Sequence, residues 1–151
     1  MTVEGRSVPV AAVWLGGLGV LPFLACAAFL LAGPPGLAET ASHAIVAYGA
    51  VILSFLGGVR WGFATKDANA SSENAALLRR LTLSVVPALV AWAGLLTSVE
   101  TGILILSGAF LLVLLSDIRA ARSHEAPLWY PLLRGPLTLL VVASLLAAAL
   151  A

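Results

Sequence analysis

The chain has little charge and almost no cysteine. Only 10% of its 151 residues are Asp, Glu, Lys or Arg, whereas a typical globular domain is about 25% charged. The single cysteine, Cys26, excludes an internal disulfide. Apolar residues instead make up 61% of the chain, and its mean hydropathy is +1.06. A water-soluble protein of this size could not bury so much apolar surface, so the composition predicts an integral membrane protein.

Sequence motifs with a specific chemistry are also missing. The chain contains no Walker loop, no HExxH and no CxxC motif. It also lacks paired carboxylates inside an apolar stretch, which are typical of proton-coupled carriers. We therefore assign no catalytic, cofactor-binding or metal-binding residue, and we expect neither a cofactor nor a nucleic-acid partner.

Five long stretches are nearly free of charge, and they occupy residues 10–32, 44–64, 81–99, 101–116 and 136–151. A helix rises 1.5 Å per residue, so about 20 residues cross a hydrocarbon core of about 30 Å. The first three stretches are long enough, while the last two need flanking residues to complete the crossing. The pattern predicts an all-α, polytopic membrane bundle, with residues 1–151 forming one domain of five transmembrane helices.

The basic residues all fall on one side of these five spans. All eight Lys and Arg side chains share that side: Arg6, Arg60, Lys66, Arg79, Arg80, Arg119, Arg122 and Arg134. The only ionisable side chains on the opposite side are Glu39, His43 and Glu100. The positive-inside rule then predicts a cytoplasmic N-terminus and a C-terminus outside. Alternatively the first span is a signal peptide cleaved near Ala38, which would leave four helices in the same orientation.

Small residues recur in the second span at every fourth position. This predicted packing ridge consists of Ala50, Ser54, Gly58 and Gly62. Such a ridge allows close approach of another helix, either within the bundle or in a homodimer. In the first span, Gly16, Gly17 and Gly19 offer a complementary surface, and with Pro22 they predict a kink.

Arg60 is the one charge placed clearly inside an apolar stretch. It either extends to the headgroups as an anchor or faces the bundle, where Asp117 at similar depth is its best acceptor. Other polar residues lie at the same level and complete a candidate pocket for an anionic group such as a lipid phosphate. The candidate pocket residues are Arg60, Ser84, Asp117, Arg134 and Thr138.

Three segments carry a resemblance to a known family. They read YGAVILSFLGGVRWG at residues 48–62, SVVPAL at 84–89 and WY at 129–130. With them, the chain resembles the small multi-pass membrane family of unknown function that includes transmembrane protein 69. The resemblance covers nearly the whole chain and implies the energy-transducing inner membrane in which bacterial and mitochondrial members lie. Members often carry His at the position of Arg60, so the arginine argues against metal or haem ligation there.

These observations favour a non-enzymatic protein of the bacterial inner (plasma) membrane. We expect an accessory, assembly or lipid-binding role, with the lipid bilayer, an anionic lipid, and a larger membrane complex or homo-oligomer as partners. The alternative is a small membrane enzyme or oligomeric carrier that acts on an amphiphile at the cytoplasmic interface. That alternative predicts a cavity that reaches Arg60, Asp117 and Ser84.

Overall fold

The computed structural model describes residues 7–66 and 74–151, and all regular structure in these ranges is helical. Its helices are α1 (Val10–Leu18), α2 (Leu21–Ala32), α3 (Ala38–Lys66), α4 (Asn74–Leu95), α5 (Val99–Arg122) and α6 (Tyr130–Ala149), with a short 3-10 turn at Pro35–Leu37 before α3. Arg6 and residues 67–73, which belong to the predicted loop between the second and third spans, lie outside the described residues.

In the part of the chain that the structure describes, five helical segments are long and apolar enough to cross a membrane, as predicted: Val10–Ala32, Pro35–Lys66, Ala75–Leu95, Val99–Arg122 and Tyr130–Ala149. The third span begins before the predicted range of 81–99. The fourth span was predicted to end at residue 116, but α5 continues to Arg122 and has 24 residues. Charged side chains do not interrupt helical hydrogen bonding, so a fall in apolarity marks the bilayer edge and not the helix end.

The start of α6 also differs from the predicted span of 136–151. The helix begins at Tyr130, six residues before the predicted start. Pro131 lies in its first turn, where the backbone N–H has no partner within the helix, so a proline is tolerated. Pro136 follows inside the helix. The earlier start carries Arg134 into the helical bundle.

The first span is broken, in agreement with the predicted kink. The helix α1 ends at Leu18 and α2 begins at Leu21, with Pro22 in its first turn. Because a proline has no N–H to donate, the helical hydrogen-bond ladder is interrupted at this point. The hydroxyl of Tyr48 in α3 donates to the carbonyl of Gly19 within the break, at 3.1 Å.

The helices α2 to α6 form a closed ring of neighbours. Each packs against the next in the chain, α6 returns to α2, and α3 and α5 contact each other across the middle. Large apolar side chains fill the interior, among them Phe23, Ile45, Leu53, Leu106 and Phe110. Many outward-facing residues, such as Trp14, Trp92 and Leu112, are apolar and exposed, which suits a surface covered by lipid.

Two glycines of α3 permit its closest contacts. A Cβ atom at Gly57 would collide with the carbonyl oxygen of Ser84 in α4, and one at Gly49 would lie 3.0 Å from Cδ1 of Leu106. Only part of the predicted packing ridge faces the interior of the bundle. Ala50 is buried, and Ser54 donates its hydroxyl to the Ala50 carbonyl at 2.8 Å.

The other two ridge residues face outward. A Cβ at Gly58 or Gly62 would meet nothing within 4 Å in the part of the chain that the structure describes. A spacing of four drifts around a helix of 3.6 residues per turn, so the ridge leaves the interior towards the end of α3. The close contact between helices therefore falls on Gly49 and Gly57, next to the predicted ridge.

Candidate anion-binding site

A cavity of about 410 Å³ opens at the end of the bundle where α3 and α5 end and α4 begins. We call this region the arginine end. The cavity is lined by Arg60, Phe63, Ala64, Arg79, Arg80, Leu83, Ser116, Arg119, Ala120, Ser123 and Glu125. Four of these residues are arginines and only one is a carboxylate.

Helical spacing brings these side chains to one place. In α5 and its C-cap, the lining residues follow the i, i+3, i+4, i+7 pattern of a single helix face, and they are Ser116, Arg119, Ala120 and Ser123. In α4, the lining residues lie in the early turns of the helix. The last turns of α3 provide the third wall.

The end of α5 places Glu125, the one carboxylate among the described lining residues. His124 has a φ of 58°, the left-handed conformation that commonly ends a helix, although glycine is the usual residue there. The N–H of Glu125 then donates back to the Ala120 carbonyl at 2.8 Å. This turn directs Glu125 to the cavity, where its Oε1 lies 2.8 Å from Nη2 of Arg80.

Arg60 connects the cavity with the bundle interior. Its Nη1 donates to the hydroxyl of Ser116 and lies 3.9 Å from Oδ1 of Asp117. The Arg60 side chain is 20% exposed and that of Asp117 only 3%. Arg60 therefore contributes to the cavity wall while it also faces a buried carboxylate.

Three buried polar residues lie next to this wall. Counted over the whole residue, Asp117 is 2% exposed, Arg134 8% and Thr138 0%. Nε of Arg134 is 3.7 Å from Oδ2 of Asp117. Within the described ranges, Asp117 Oδ2, Arg134 Nε and Nη2, and Thr138 Oγ1 have no hydrogen-bond partner. Arg60, Asp117 and Arg134 together carry a formal charge of +1 in an apolar surrounding, which makes this cluster costly to bury.

The predicted pocket residues therefore occupy different places. Arg60 lines the cavity, and Asp117 and Arg134 lie beside it in the interior. Ser84 is buried, and its hydroxyl donates to the Leu81 carbonyl of its own helix at 2.6 Å. Thr138 follows Arg134 by one turn of α6 and is fully buried.

Sequence reasoning missed several lining residues. Arg79, Arg80 and Arg119 were interpreted only as markers of topology, and Glu125 was not included in the pocket. The signal for Arg119 was available in its spacing of three from Ser116, which places both on one face of α5. Among residues 7–66 and 74–151, no group of three or more His, Cys, Asp or Glu side chains is suited to hold a metal ion.

The fold and the cavity together define a helical, multi-pass membrane protein with a positively charged cavity at one end of its bundle. The chain belongs to the family described as protein of unknown function (DUF3429), whose sequence profile matches residues 8–150. It is 37% identical over 143 residues to transmembrane protein 69 of Xenopus tropicalis, which covers 93% of this chain. The chain spans 54% of that relative's length. No solved structure matches the chain significantly. The family resemblance expected from residues 48–62 is confirmed.

Proposed function

We propose that this protein is a non-enzymatic, lipid-binding accessory protein that holds the anionic headgroup of a phospholipid in the cavity at the arginine end. The observation that carries the proposal is the lining of a single cavity by four arginines and one glutamate. The guanidinium group presents several N–H donors in a planar fork that suits phosphate oxygens. Basic pockets between transmembrane helices are a known form of lipid recognition.

The cavity walls favour a lipid over a soluble anion. Phe63 and Leu83 line the cavity beside the arginines, so its surface is amphipathic. From Leu83, an exposed apolar stripe continues along α4 through Val86 and Leu89 towards the middle of the membrane. An acyl chain attached to a bound headgroup would lie along this stripe.

The distribution of charge supports an orientation. The described basic residues from Arg60 to Arg134 belong to the arginine end, and the positive-inside rule directs such an end to the cytoplasm. The cytoplasmic leaflet is also the one that carries anionic lipid at its surface. The proposed location is therefore the bacterial inner membrane with the cavity facing the cytoplasm, a C-terminus outside, and Glu39 and His43 at the opposite surface.

A small enzyme or carrier remains the alternative, and it requires a cavity that reaches Arg60, Asp117 and Ser84. Of these three, only Arg60 belongs to the described lining. The Ser84 hydroxyl is engaged with its own helix. The geometry therefore favours retention of a ligand over its conversion or transport. A partner complex or homo-oligomer stays a prediction, for which the uncovered Gly58 and Gly62 offer a close-approach surface.

Two arginines of the same helix provide a matched test. Arg119 and Arg122 are both exposed in the last turn of α5, but only Arg119 lines the cavity. The protein is placed in phosphatidylcholine nanodiscs with increasing phosphatidylglycerol, and native mass spectrometry counts the lipids retained. We expect Arg119→Gln to weaken phosphatidylglycerol retention about tenfold, since a charge-assisted hydrogen bond contributes about 1.5–3 kcal/mol. Arg122→Gln should leave retention unchanged.

Equal losses in Arg119→Gln and Arg122→Gln would contradict the proposal, because they would indicate general attraction of anions to a basic surface. A parallel titration with soluble glycerol phosphate separates the two sources of phosphate. Binding of glycerol phosphate as tight as that of phosphatidylglycerol would argue against a lipid ligand. Weaker binding supports the contribution of the apolar stripe.

A further inference from the structure

The two carboxylate oxygens of Asp117 face two different arginines. Oδ1 lies 3.9 Å from Nη1 of Arg60, and Oδ2 lies 3.7 Å from Nε of Arg134. Asp117 comes from α5, Arg60 from α3 and Arg134 from α6, so one carboxylate links three helices. No other acidic side chain is buried among the described residues.

Arg134 and Asp117 are both more than nine-tenths buried, whereas Arg60 is partly exposed at the cavity. Nε and Nη2 of Arg134 form one edge of the guanidinium, the edge that suits a carboxylate. Within residues 7–66 and 74–151, neither of these nitrogens has a hydrogen-bond partner, so Asp117 is the anion in reach of this edge. Arg134 thereby holds Asp117 from the interior side, and the other oxygen is left to face Arg60.

The charge of the cluster leaves Arg60 available to a ligand. One carboxylate shared between two guanidinium groups neutralises only one of them, so a charge of +1 remains. Arg60 uses Nη1 on Ser116 and Asp117, and a guanidinium has five N–H donors in all. Its other donors can therefore bind an anion while Nη1 stays fixed to α5.

We propose that Asp117 and Arg134 are positioning residues for the anion-binding cavity: Arg134 orients Asp117, and Asp117 with Ser116 fixes the guanidinium of Arg60 at the cavity wall. This inference rests on the proposed lipid-binding function. It assigns the buried charges a role in ligand affinity, in addition to any role they have in holding α3, α5 and α6 together.

A paired substitution separates positioning from structure. Asp117→Asn leaves Arg134 as an uncompensated buried charge, so it should lower both the melting temperature and the affinity for phosphatidylglycerol. In the double variant Asp117→Asn with Arg134→Gln, both buried charges are replaced by neutral amides. We expect the double variant to regain the melting temperature of the wild type and to keep a Kd about tenfold weaker, because Arg60 has lost its carboxylate.

Two outcomes would contradict the positioning role. A double variant that regains both the melting temperature and the wild-type Kd would show that Asp117 acts only in structure. If the double variant does not fold, Arg134→Lys is the second test, since it keeps the buried charge and loses the planar fork. A native melting temperature with an unchanged Kd in Arg134→Lys would also overturn the inference, and a Kd raised several-fold would support it.

The same nanodisc titration distinguishes the two proposals. A wild-type protein that retains phosphatidylglycerol no better than phosphatidylcholine would remove the proposed function, and this inference would fall with it. A wild-type protein that prefers phosphatidylglycerol, together with a double variant of equal preference, would overturn this inference alone.

Discussion

The two ends of the bundle differ in what their interiors contain. In the half that we call the apolar half, Phe23 of α2 packs edge-on against Tyr48 and Phe110, with ring centroids 5.0 and 6.2 Å apart. Ile45 and Leu106 are fully buried beside them. At the arginine end, interior positions of α5 and α6 hold Asp117, Arg134 and Thr138, with several polar atoms that lack partners in the described structure.

The difference indicates a division of tasks. Aromatic and aliphatic packing provides the attraction between helices in lipid, where no hydrophobic drive exists between them. Buried charges with incomplete hydrogen bonding generally cost stability relative to an apolar interior. The packing at the arginine end is therefore less favourable than that of the apolar half, and such departures from good packing are expected at functional sites.

The largest expected effect concerns which end of the bundle faces the cytoplasm. In a Cys26→Ala background, Thr97→Cys introduces a thiol in the exposed turn between α4 and α5, and Ser123→Cys introduces one at the arginine end. We expect a membrane-impermeant maleimide to label Thr97→Cys in intact spheroplasts and Ser123→Cys only after permeabilisation, because arginines favour the cytoplasmic side. Labelling in the reverse order would contradict the proposed topology.

A large stability effect is expected where α3 and α4 meet. In Gly57→Ala the new Cβ collides with the backbone carbonyl of Ser84, which cannot move aside as a flexible side chain would. We expect a loss of about 3 kcal/mol in the free energy of unfolding, at the upper end for an overpacked interior. The thermal unfolding of detergent-solubilised protein is followed with a thiol-reactive dye that reports on Cys26, which is partly buried.

Gly58→Ala is the matched control for Gly57→Ala. Its Cβ meets no described atom within 4 Å, and alanine favours helix more than glycine does. The control should therefore unfold at the wild-type temperature or slightly above it. A Gly58→Ala variant that loses as much stability as Gly57→Ala would mean that a second copy or a partner covers this face of α3.

A smaller loss is expected for truncation in the apolar half. Leu106 is fully buried, whereas Leu104 on the same helix is 61% exposed. Leu106→Ala should lose about 2 kcal/mol, at the low end for a buried leucine, because the alternative environment in a membrane is also apolar. Leu104→Ala should stay within about 0.5 kcal/mol of the wild type. Equal effects at both positions, in the same unfolding assay, would show that the apolar half is not the densely packed region.

Much of this architecture could be predicted from the sequence. The apolar stretches determine the number of spans, and Pro22 with Gly19 determines the break in the first span. The helix ends were less predictable, because helices continue past the bilayer edge through residues such as Asp117 and Arg134. The apolarity of a segment reflects whether lipid or water surrounds it. The residue at which a helix ends depends instead on local caps, such as the left-handed His124.

The site was predictable only in part, for a related reason. Depth along a span is readable from the sequence, so Asp117 could be named as the acceptor of Arg60, and the structure places it 3.9 Å away. The rotation of each helix about its axis is less readable where small residues occupy several faces, as in α3. The predicted ridge therefore includes Gly58, whereas the close contact is at Gly57. The side-by-side placement of Arg79, Arg80 and Arg119 depends on packing between α4 and α5.

The smallest expected effect sharpens the comparison at the cavity itself. Glu125 and Arg80 form an ion pair in which both side chains are about a third exposed. Such exposed pairs contribute about 0–1 kcal/mol to stability. Glu125→Gln should therefore leave the unfolding temperature almost unchanged. It removes the one carboxylate of the described lining, so the cavity becomes more positive and phosphatidylglycerol should bind about twofold tighter. Glu39→Gln, exposed at the start of α3, removes the same charge far from the cavity and should not change the Kd. Equal tightening in both variants would mean that net charge, and not this cavity, governs lipid retention.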